Sequence, residues 1–255
     1  MAVPYAQASE RVSVAAAANL TYVMEPLNAA FEKANPDVVV HSEIGASGSL
    51  VSQIENGAPY DIFLSADTEY PRKLIKAGSA QESSFVIFAR GRLVLWTTST
   101  GLRMDSVESV LKNEAVRKVA IANPETAPYG RAAMEVLSRM GLSETVKSKI
   151  VTGDNITQTA QFVSTGNADI GFVALSLVKS PKLADKGAWL EIPASLYAPI
   201  DQAAVLTSRG AASAGALRYI KFLESEDARK VFGAFGYGLP DINPSSATAA
   251  GKTAK

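Results

Sequence analysis

The chain has 255 residues, of which 47% are hydrophobic and 20% charged, a composition typical of a globular protein with a substantial core. Its 25 basic and 25 acidic residues give a formal net charge of zero, which argues against nucleic acid as a partner because phosphate backbones are bound by basic surfaces. Disulfides and thiolate metal sites are excluded by the lack of cysteine, and the single histidine, His41, leaves histidine-based catalysis poorly supplied. No apolar run approaches the length of a membrane span, so we expect no membrane insertion.

The two termini differ from the rest of the chain in composition. Near the start, Ala6-Gln7-Ala8 resembles a signal-peptidase site, although no charged or long apolar segment precedes it. We interpret it as the remnant of an export signal, which implies a periplasmic location; a plain alanine-rich terminus is the alternative. We expect residues 1–10 and 244–255 to be disordered, the latter because they are rich in Ser, Ala, Thr and Gly.

The first third of the chain alternates strands with helices, which is typical of a mainly parallel α/β sheet. Short apolar runs predict strands over 12–17, 38–42 and 61–65. Helices are predicted over 20–34, 48–56 and 70–77. The first helix has Leu27, Ala30, Phe31 and Ala34 on one face, the spacing expected of a helix that packs on a sheet.

A β-rich stretch then interrupts this alternation, which starts again beyond it. Two apolar runs, 85–89 and 93–97, are separated by Arg90-Gly91-Arg92. The later predicted elements are a strand over 119–122, helices over 130–140 and 156–165, a strand over 169–173, a β-rich run over 200–207, and helices over 212–223 and 225–235.

We therefore predict an α/β protein of two lobes, each a mainly parallel sheet flanked by helices, joined by two β-rich crossovers. Lobe 1 would comprise 11–89 and 203–240, and lobe 2 would comprise 90–202. One continuous doubly wound domain is the alternative. Two lobes favour a small-ligand site in the cleft between them.

Four strand-to-helix junctions could direct hydrogen-bond donors into that cleft, because ligands of open α/β sheets bind at the carboxyl ends of strands. Asn19 follows the first strand, Ser47 follows the second, Tyr129 opens the helix after 119–122, and 152–157 precedes another helix. The start of a helix carries free N–H groups and partial positive charge, which suits an oxyanion. For Asn19, Ser47 and Asp154, helix capping is the alternative role.

The junctions also carry a resemblance to a known family. Five segments occur in its order and spacing: Ala15-Ala16-Ala17-Ala18-Asn19-Leu20, Gly45-Ala46-Ser47-Gly48-Ser49-Leu50, 56–67, Ala127-Pro128-Tyr129-Gly130, and 168–175. In these segments the chain resembles the periplasmic molybdate-binding proteins of ABC importers, which have the two-lobed type II solute-binding fold. The resemblance covers the chain from Val12 to about Leu239.

The resemblance implies that the ligand is molybdate, with tungstate beside it, and that Asn19, Ser47, Tyr129 and Ile156 contact the oxyanion. Tyr129 and Ile156 would act chiefly through their backbone N–H groups, and Ala18 matches a position that can add another backbone donor. One branch of the family has serine in place of Asn19 and tyrosine in place of Ala174; this chain resembles the other branch. No protein atom would coordinate the metal directly.

Such a set of neutral donors suits this ligand. Molybdate and tungstate are fully deprotonated at neutral pH, so they accept hydrogen bonds and donate none, whereas protonated phosphate benefits from an acceptor. We expect Asp154 to cap its helix and face away from the ligand, because a carboxylate would repel the anion.

Other functions remain open at this point. An enzyme could use Ser47 or Ser49 as nucleophile with Asp61, Asp67 or Asp154 as acid or base, but no Gly-x-Ser-x-Gly elbow or complete phosphate loop occurs. A solute-binding protein for sulfate, phosphate or ferric iron is the other alternative. By resemblance we expect no cofactor, a membrane ABC permease as partner, and a monomer.

Overall fold

The computed structural model describes residues 10–240, which form ten strands and ten α-helices. The strands are β1 (Glu10–Ala17), β2 (Val38–Gly45), β3 (Ile62–Leu64), β4 (Val86–Gly91), β5 (Leu93–Thr97), β6 (Val119–Ala122), β7 (Ile150–Gly153), β8 (Ile170–Ala174), β9 (Ala188–Glu191) and β10 (Ile200–Leu206). The helices are α1 (Met24–Ala34), α2 (Ser47–Glu55), α3 (Glu69–Lys76), α4 (Val107–Lys112), α5 (Pro128–Arg139), α6 (Ser143–Val146), α7 (Ile156–Ser164), α8 (Leu175–Val178), α9 (Ala214–Phe222) and α10 (Glu226–Ala234).

The strands form two separate five-stranded sheets. The first has the order β2-β1-β3-β10-β4, and the second has the order β7-β6-β8-β5-β9. In the first sheet β1 is parallel to β2 and β3, while β10 runs antiparallel to β3 and β4. In the second sheet β6 is parallel to β7 and β8, while β5 runs antiparallel to β8 and β9. The predicted two-lobed α/β fold is therefore confirmed, and the single continuous domain is wrong.

Strand register places the four junctions in pairs. The last residue of β1, Ala17, pairs with Gly45 at the end of β2. In the second sheet Ala122, at the end of β6, pairs with Gly153 at the end of β7. Because both pairs are parallel, the turns that follow each pair lie side by side at one edge of their sheet.

Each sheet is covered by helices on an apolar core. In the first lobe Phe31 packs edge to face with Tyr219, their ring centroids 4.9 Å apart, and Phe88 packs against Phe232 at 5.1 Å. In the second lobe β5, β6 and β8 are buried on both faces, with Trp96 fully buried in β5. Such two-sided burial is why the parallel strands read as continuous apolar runs in the sequence.

Several elements differ from the sequence-based prediction. The helix predicted from residue 20 begins at Met24, because Ala18–Leu20 form a separate 3₁₀ turn. The strands β7 and β9 and the helices α4, α6 and α8 were not predicted. β9 is short and mostly exposed, so it lacks the apolar pattern by which the buried strands are recognised.

The chain passes between the sheets directly after β4, at Arg92, and again between β9 and β10. β4 runs to Gly91 and β10 begins at Ile200, both in the first sheet. The exact lobe boundaries, at 89/90 and 202/203, stay a prediction. The termini expected to be disordered lie outside the described residues, except Glu10, which begins β1. None of the helices within 10–240 is both long and apolar enough to cross a membrane.

Candidate ligand site between the lobes

A small cavity of about 190 Å³ lies where the four junctions meet. It is lined by Ala17, Ala18, Asn19, Ala46, Ser47, Ala66, Ala127, Pro128, Tyr129, Asn155 and Ile156. The structure thus brings together all five predicted site residues, three from the first lobe and two from the second. Among residues 10–240, no charged side chain lines this cavity. A larger cavity of about 480 Å³ lies on Arg131 and four carboxylates, Asp67, Glu69, Glu135 and Asp201, and is a poor site for an oxyanion because those carboxylates would repel it.

Ser47 offers a hydroxyl proton to the cavity. Its side chain is 1% exposed, and its Oγ accepts a hydrogen bond of 3.1 Å from the backbone N–H of Ala66. Because this bond uses an oxygen lone pair, the Ser47 proton remains available for an acceptor in the cavity. Ser47 is the first residue of α2, and its cap, Ala46, lies before it, so the alternative role of Ser47 as a helix cap is wrong.

Tyr129 and Ile156 each place a backbone N–H at the start of a helix. Pro128 is the first residue of α5 and Tyr129 the second, so the Tyr129 N–H has no acceptor within its own helix. At the start of α7, the Asn155 side chain accepts from the N–H groups of Thr157 and Gln158, each at 3.0 Å, which leaves the N–H of Ile156. Both helix starts carry the partial positive charge of the helix dipole.

The predicted role of Asp154 needs correction. Asn155 caps α7, whereas Asp154 precedes the cap, is exposed and does not line the cavity. Asp and Asn are both favoured as N-caps, and the sequence alone does not show which of these two adjacent residues adopts the extended cap conformation. The expectation that this carboxylate faces away from the cavity agrees with its exposure.

Asn19 is not a helix cap either. It lies within the Ala18–Leu20 turn, 1% exposed, and its amide Nδ2 donates to Gln202 Oε1 at 2.9 Å and to the phenol oxygen of Tyr237 at 2.7 Å. The Ala18 carbonyl accepts hydrogen bonds from the hydroxyls of Thr21 and Thr157, at 2.6 and 2.8 Å. Gln202 and Tyr237 were not predicted as site residues.

The phenol oxygen of Tyr129 is bonded to a buried protein group and is not free in the cavity. The side chain is 2% exposed, and its oxygen accepts a bond of 3.2 Å from Gln202 Nε2. A Cβ at Gly91 would lie 2.2 Å from this oxygen, so glycine is required there. Burial raises the pKa of Tyr129 well above its ordinary value, so the phenol stays protonated.

The two lobes are bridged on several sides of the cavity. Two bonds end on backbone carbonyls of the second lobe: Gly48 N–H donates to Thr126 O at 2.9 Å, and Tyr70 Oη donates to Glu125 O at 3.0 Å. The hydroxyls of Thr21 and Thr157 lie 2.8 Å apart. In the opposite direction, Ser176 Oγ donates to Asn19 O at 2.8 Å. The guanidinium of Arg131, on α5, pairs with the carboxylate of Asp67, which precedes α3. These contacts describe a closed arrangement of the lobes.

Asp67 is an ionisable group within this bridge. Burial raises the pKa of Asp67 above its ordinary value of 3.8, and this effect outweighs the hydrogen bond from the Tyr70 N–H and the attraction of Arg131.

No group of three or more His, Cys, Asp or Glu side chains within 10–240 is arranged to hold a metal ion. What the cavity offers a ligand is the set of hydrogen-bond donors described above: the Ser47 hydroxyl and the N–H groups of Tyr129 and Ile156.

A comparison with known families places this architecture. The family model of bacterial extracellular solute-binding proteins matches residues 12–238, almost all of the described chain. The chain belongs to this family. Within it, the chain is 46% identical over 235 residues to the molybdate-binding protein ModA of Azotobacter vinelandii, covering 92% of each sequence. It is 40% identical over 230 residues to ModA of Rhodobacter capsulatus, covering 90% of this chain and 89% of that protein.

A solved structure gives the same result for the fold. The periplasmic molybdate-binding protein of Azotobacter vinelandii superposes with a TM-score of 0.85 at 36% identity, covering 90% of this chain and 100% of the other. These relatives of the solute-binding family are binding proteins, so membership favours a binding role over the catalytic alternative.

Proposed function

We propose that this protein binds molybdate, and with it tungstate, in the cavity between the lobes and delivers the anion to an ABC permease for import. One observation carries the proposal: the Ser47 hydroxyl and the N–H groups of Tyr129 and Ile156 line one cavity without a charged side chain. Ala18 and Asn19 add further donors in this proposal through their backbone N–H groups.

The donor set supports a proton-free oxyanion. Hydrogen bonds from N–H and O–H groups to an anion are charge-assisted, and they are strongest where water is excluded. No carboxylate within residues 10–240 lines the cavity, so no charged acceptor there favours the proton that hydrogen phosphate carries. Molybdate carries no proton at neutral pH, so it has no O–H group that would need an acceptor in the cavity. The two ModA relatives support the choice of molybdate among such anions.

The size of the cavity supports a small ion. Its lining residues enclose about 190 Å³ including space open to solvent, which leaves room for an ion of a few atoms and not for a drug-sized ligand. Its donors come from both lobes, so a bound anion would stabilise the closed arrangement over an open one.

The transport role in this proposal follows from the family. The closed, loaded protein would act outside the cytoplasmic membrane, in the periplasm, as a monomer. It would dock on a membrane permease through the faces of the two lobes beside the cleft.

Isothermal titration with molybdate, tungstate, sulfate and phosphate tests the proposed ligand. We expect tight binding of molybdate and tungstate and binding at least about 100-fold weaker for the other two, which corresponds to about 2.7 kcal/mol. Equally weak heats for all four anions would refute the proposal. Preferential binding of sulfate would keep the anion site but reassign its ligand.

A further inference from the structure

Four buried neutral groups form a hydrogen-bonded chain behind the cavity. Asn19 Nδ2 donates to Gln202 Oε1 at 2.9 Å and to the phenol of Tyr237 at 2.7 Å, and Gln202 Nε2 donates to the phenol of Tyr129 at 3.2 Å. Gln202 is fully buried, and it lies on β10 at a register shift of the sheet. It thereby connects a residue of the first-lobe junction to a residue of the second-lobe junction.

This arrangement leaves two polar groups unused. Asn19 Oδ1 is one of the buried side-chain atoms without a hydrogen-bond partner within residues 10–240. The phenol proton of Tyr129 also has no acceptor in the described part of the chain, because its oxygen only accepts from Gln202. A buried polar group without a partner has lost its hydration and gained no hydrogen bond, so both are unfavourable.

Turning both amides by 180° pairs both of these groups, and the Asn19 amide atom left without a protein partner becomes Nδ2 instead of Oδ1. The oxygen and nitrogen of an amide exchange places at nearly the same atomic positions, so the heavy-atom distances are retained. Tyr129 then donates to Gln202 Oε1, and Gln202 Nε2 donates to Asn19 Oδ1. The Tyr237 phenol, which donates its one proton to the Asn19 backbone carbonyl at 3.0 Å in the first arrangement, donates to Asn19 Oδ1 in the reversed one. The carbonyl then keeps its bond of 2.8 Å from Ser176 Oγ.

The two arrangements present opposite ends of the Asn19 amide. Asn19 lines the cavity, and the amide atom not held by Gln202 and Tyr237 is the one left for a ligand. In the first arrangement that atom is Oδ1, an acceptor suited to a protonated anion. In the reversed arrangement it is Nδ2, a donor suited to an anion without protons.

We propose that Gln202 is a positioning residue that sets the polarity of Asn19, and thereby the preference of the site for proton-free oxyanions, without touching the ligand. This inference rests on the proposed anion-binding function. With molybdate bound, the chain of donors runs from the Tyr129 phenol through Gln202 to Asn19 and ends on the anion.

The surrounding ionisable groups leave this chain neutral over a wide pH range. Within the described part of the chain, the titratable groups hydrogen-bonded to the Gln202 and Asn19 side chains are the phenols of Tyr129 and Tyr237. Burial raises the pKa of both phenols, so both keep their protons at neutral and mildly alkaline pH. The neighbouring Asp201 is paired with Arg90 instead.

Two substitutions at position 202 separate polarity from packing. Gln202→Met has a similar length and removes both hydrogen bonds, so we expect molybdate binding about tenfold weaker at every pH. Gln202→Glu in its ionised form only accepts, which holds Asn19 Nδ2 away from the ligand and adds a buried negative charge. We expect binding about 100-fold weaker or more near pH 9.

The pH profile is the decisive readout. A buried carboxyl group has a raised pKa, and once protonated it can donate to Asn19 Oδ1. Molybdate binding by Gln202→Glu should therefore recover at least about tenfold between roughly pH 9 and pH 5.5, while wild type and Gln202→Met stay nearly constant. Equal, pH-independent losses in both variants would show that Gln202 only packs, and would overturn the inference.

Neutron diffraction of the wild-type molybdate complex gives a second test that does not depend on a variant folding. Deuterium on the Gln202 atom facing Asn19 is the expected result, and a Gln202 carbonyl facing Asn19 would overturn the inference. The proposed function fails separately, if wild type does not bind molybdate at all.

Discussion

The Ser47 hydroxyl is the side-chain donor with the clearest assignment in the cavity, because Ala66 N–H fixes its oxygen and leaves its proton. Ser47→Ala removes that donor and should weaken molybdate binding by about 10–100-fold, since a hydrogen bond to a charged group contributes about 1.5–3 kcal/mol. Titration calorimetry measures the change.

Ser49→Ala is the matched control for this substitution. Ser49 lies two residues further along α2, is exposed and does not line the cavity, so its loss should leave the affinity unchanged. Similar losses in both variants would show that α2 is merely disturbed, and would contradict the assigned role of Ser47.

Asp67 gives a pH-dependent prediction at the same scale. Its pKa is higher in the folded protein than the ordinary 3.8, so the folded state binds its proton more tightly than the unfolded chain. The free energy of unfolding therefore falls as the pH rises through this interval. Relative to Asp67→Asn, wild type should gain stability as the pH falls from neutral through the raised pKa, with the gain complete below about 3.8. Thermal unfolding of both proteins across pH measures this; a constant difference would contradict it.

The roles of single residues could be predicted where they are set locally. Ser47, Tyr129 and Ile156 each stand at the start of a helix after a strand, and a few neighbouring residues are enough to indicate a free donor. The partner of the Asn19 amide is Gln202, 183 residues away, and local sequence carries no signal for such a contact. A single buried glutamine in a strand is distinguishable from an ordinary polar residue only once the fold is known.

Among the elements, α5 both opens the cavity and links the lobes. Its first turn supplies the Tyr129 N–H, and Arg131, two residues further on, pairs with Asp67 of the other lobe. Because this pair forms only between the lobes, we expect Arg131→Ala to weaken molybdate binding by about tenfold through a less stable closed form. Stopped-flow kinetics should show a faster dissociation rate.

Arg139→Ala is the control on the same helix. Arg139 donates to the Ser195 carbonyl and lies near Glu135 of its own helix, away from the cavity, so its loss should leave the dissociation rate unchanged. A normal dissociation rate in Arg131→Ala would show that its pair with Asp67 does not hold the closed form.

The alternation of strands and helices was predictable because buried parallel strands are continuous apolar runs between helical segments. Val119–Ala122, fully buried, begins and ends as predicted. Ala188–Glu191 was missed because it is exposed at the edge of its sheet, where pairing with β5 rather than apolar burial holds it. Tertiary pairing of that kind is decided outside the segment itself.

At the scale of the whole molecule, two sheets joined by two crossovers allow the lobes to move about the cavity. The bridging hydrogen bonds form only when the lobes are closed. Only then can donors from both lobes reach one ligand. We expect molybdate to shift the population toward this compact form, and small-angle X-ray scattering should show a smaller radius of gyration on its addition. An unchanged radius of gyration at saturation would contradict ligand-driven closure.

The two-lobe division was predictable from the break in the alternation at Arg90-Gly91-Arg92, whereas the closed arrangement was not. Closure depends on contacts such as Gly48 with Thr126 and Thr21 with Thr157, which join segments far apart in the chain. Neither residue type nor spacing indicates that these particular groups meet.

The central claim is that Ser47, Tyr129 and Ile156 hold a molybdate ion between the lobes. A crystal structure of the molybdate complex, with anomalous diffraction recorded at the molybdenum edge, tests it most directly. The account predicts one strong anomalous peak inside the cavity, with oxygen atoms within hydrogen-bond distance of the Ser47 hydroxyl and the two backbone N–H groups. A crystal with no peak there, or with its peak at another place on the protein, would contradict the account.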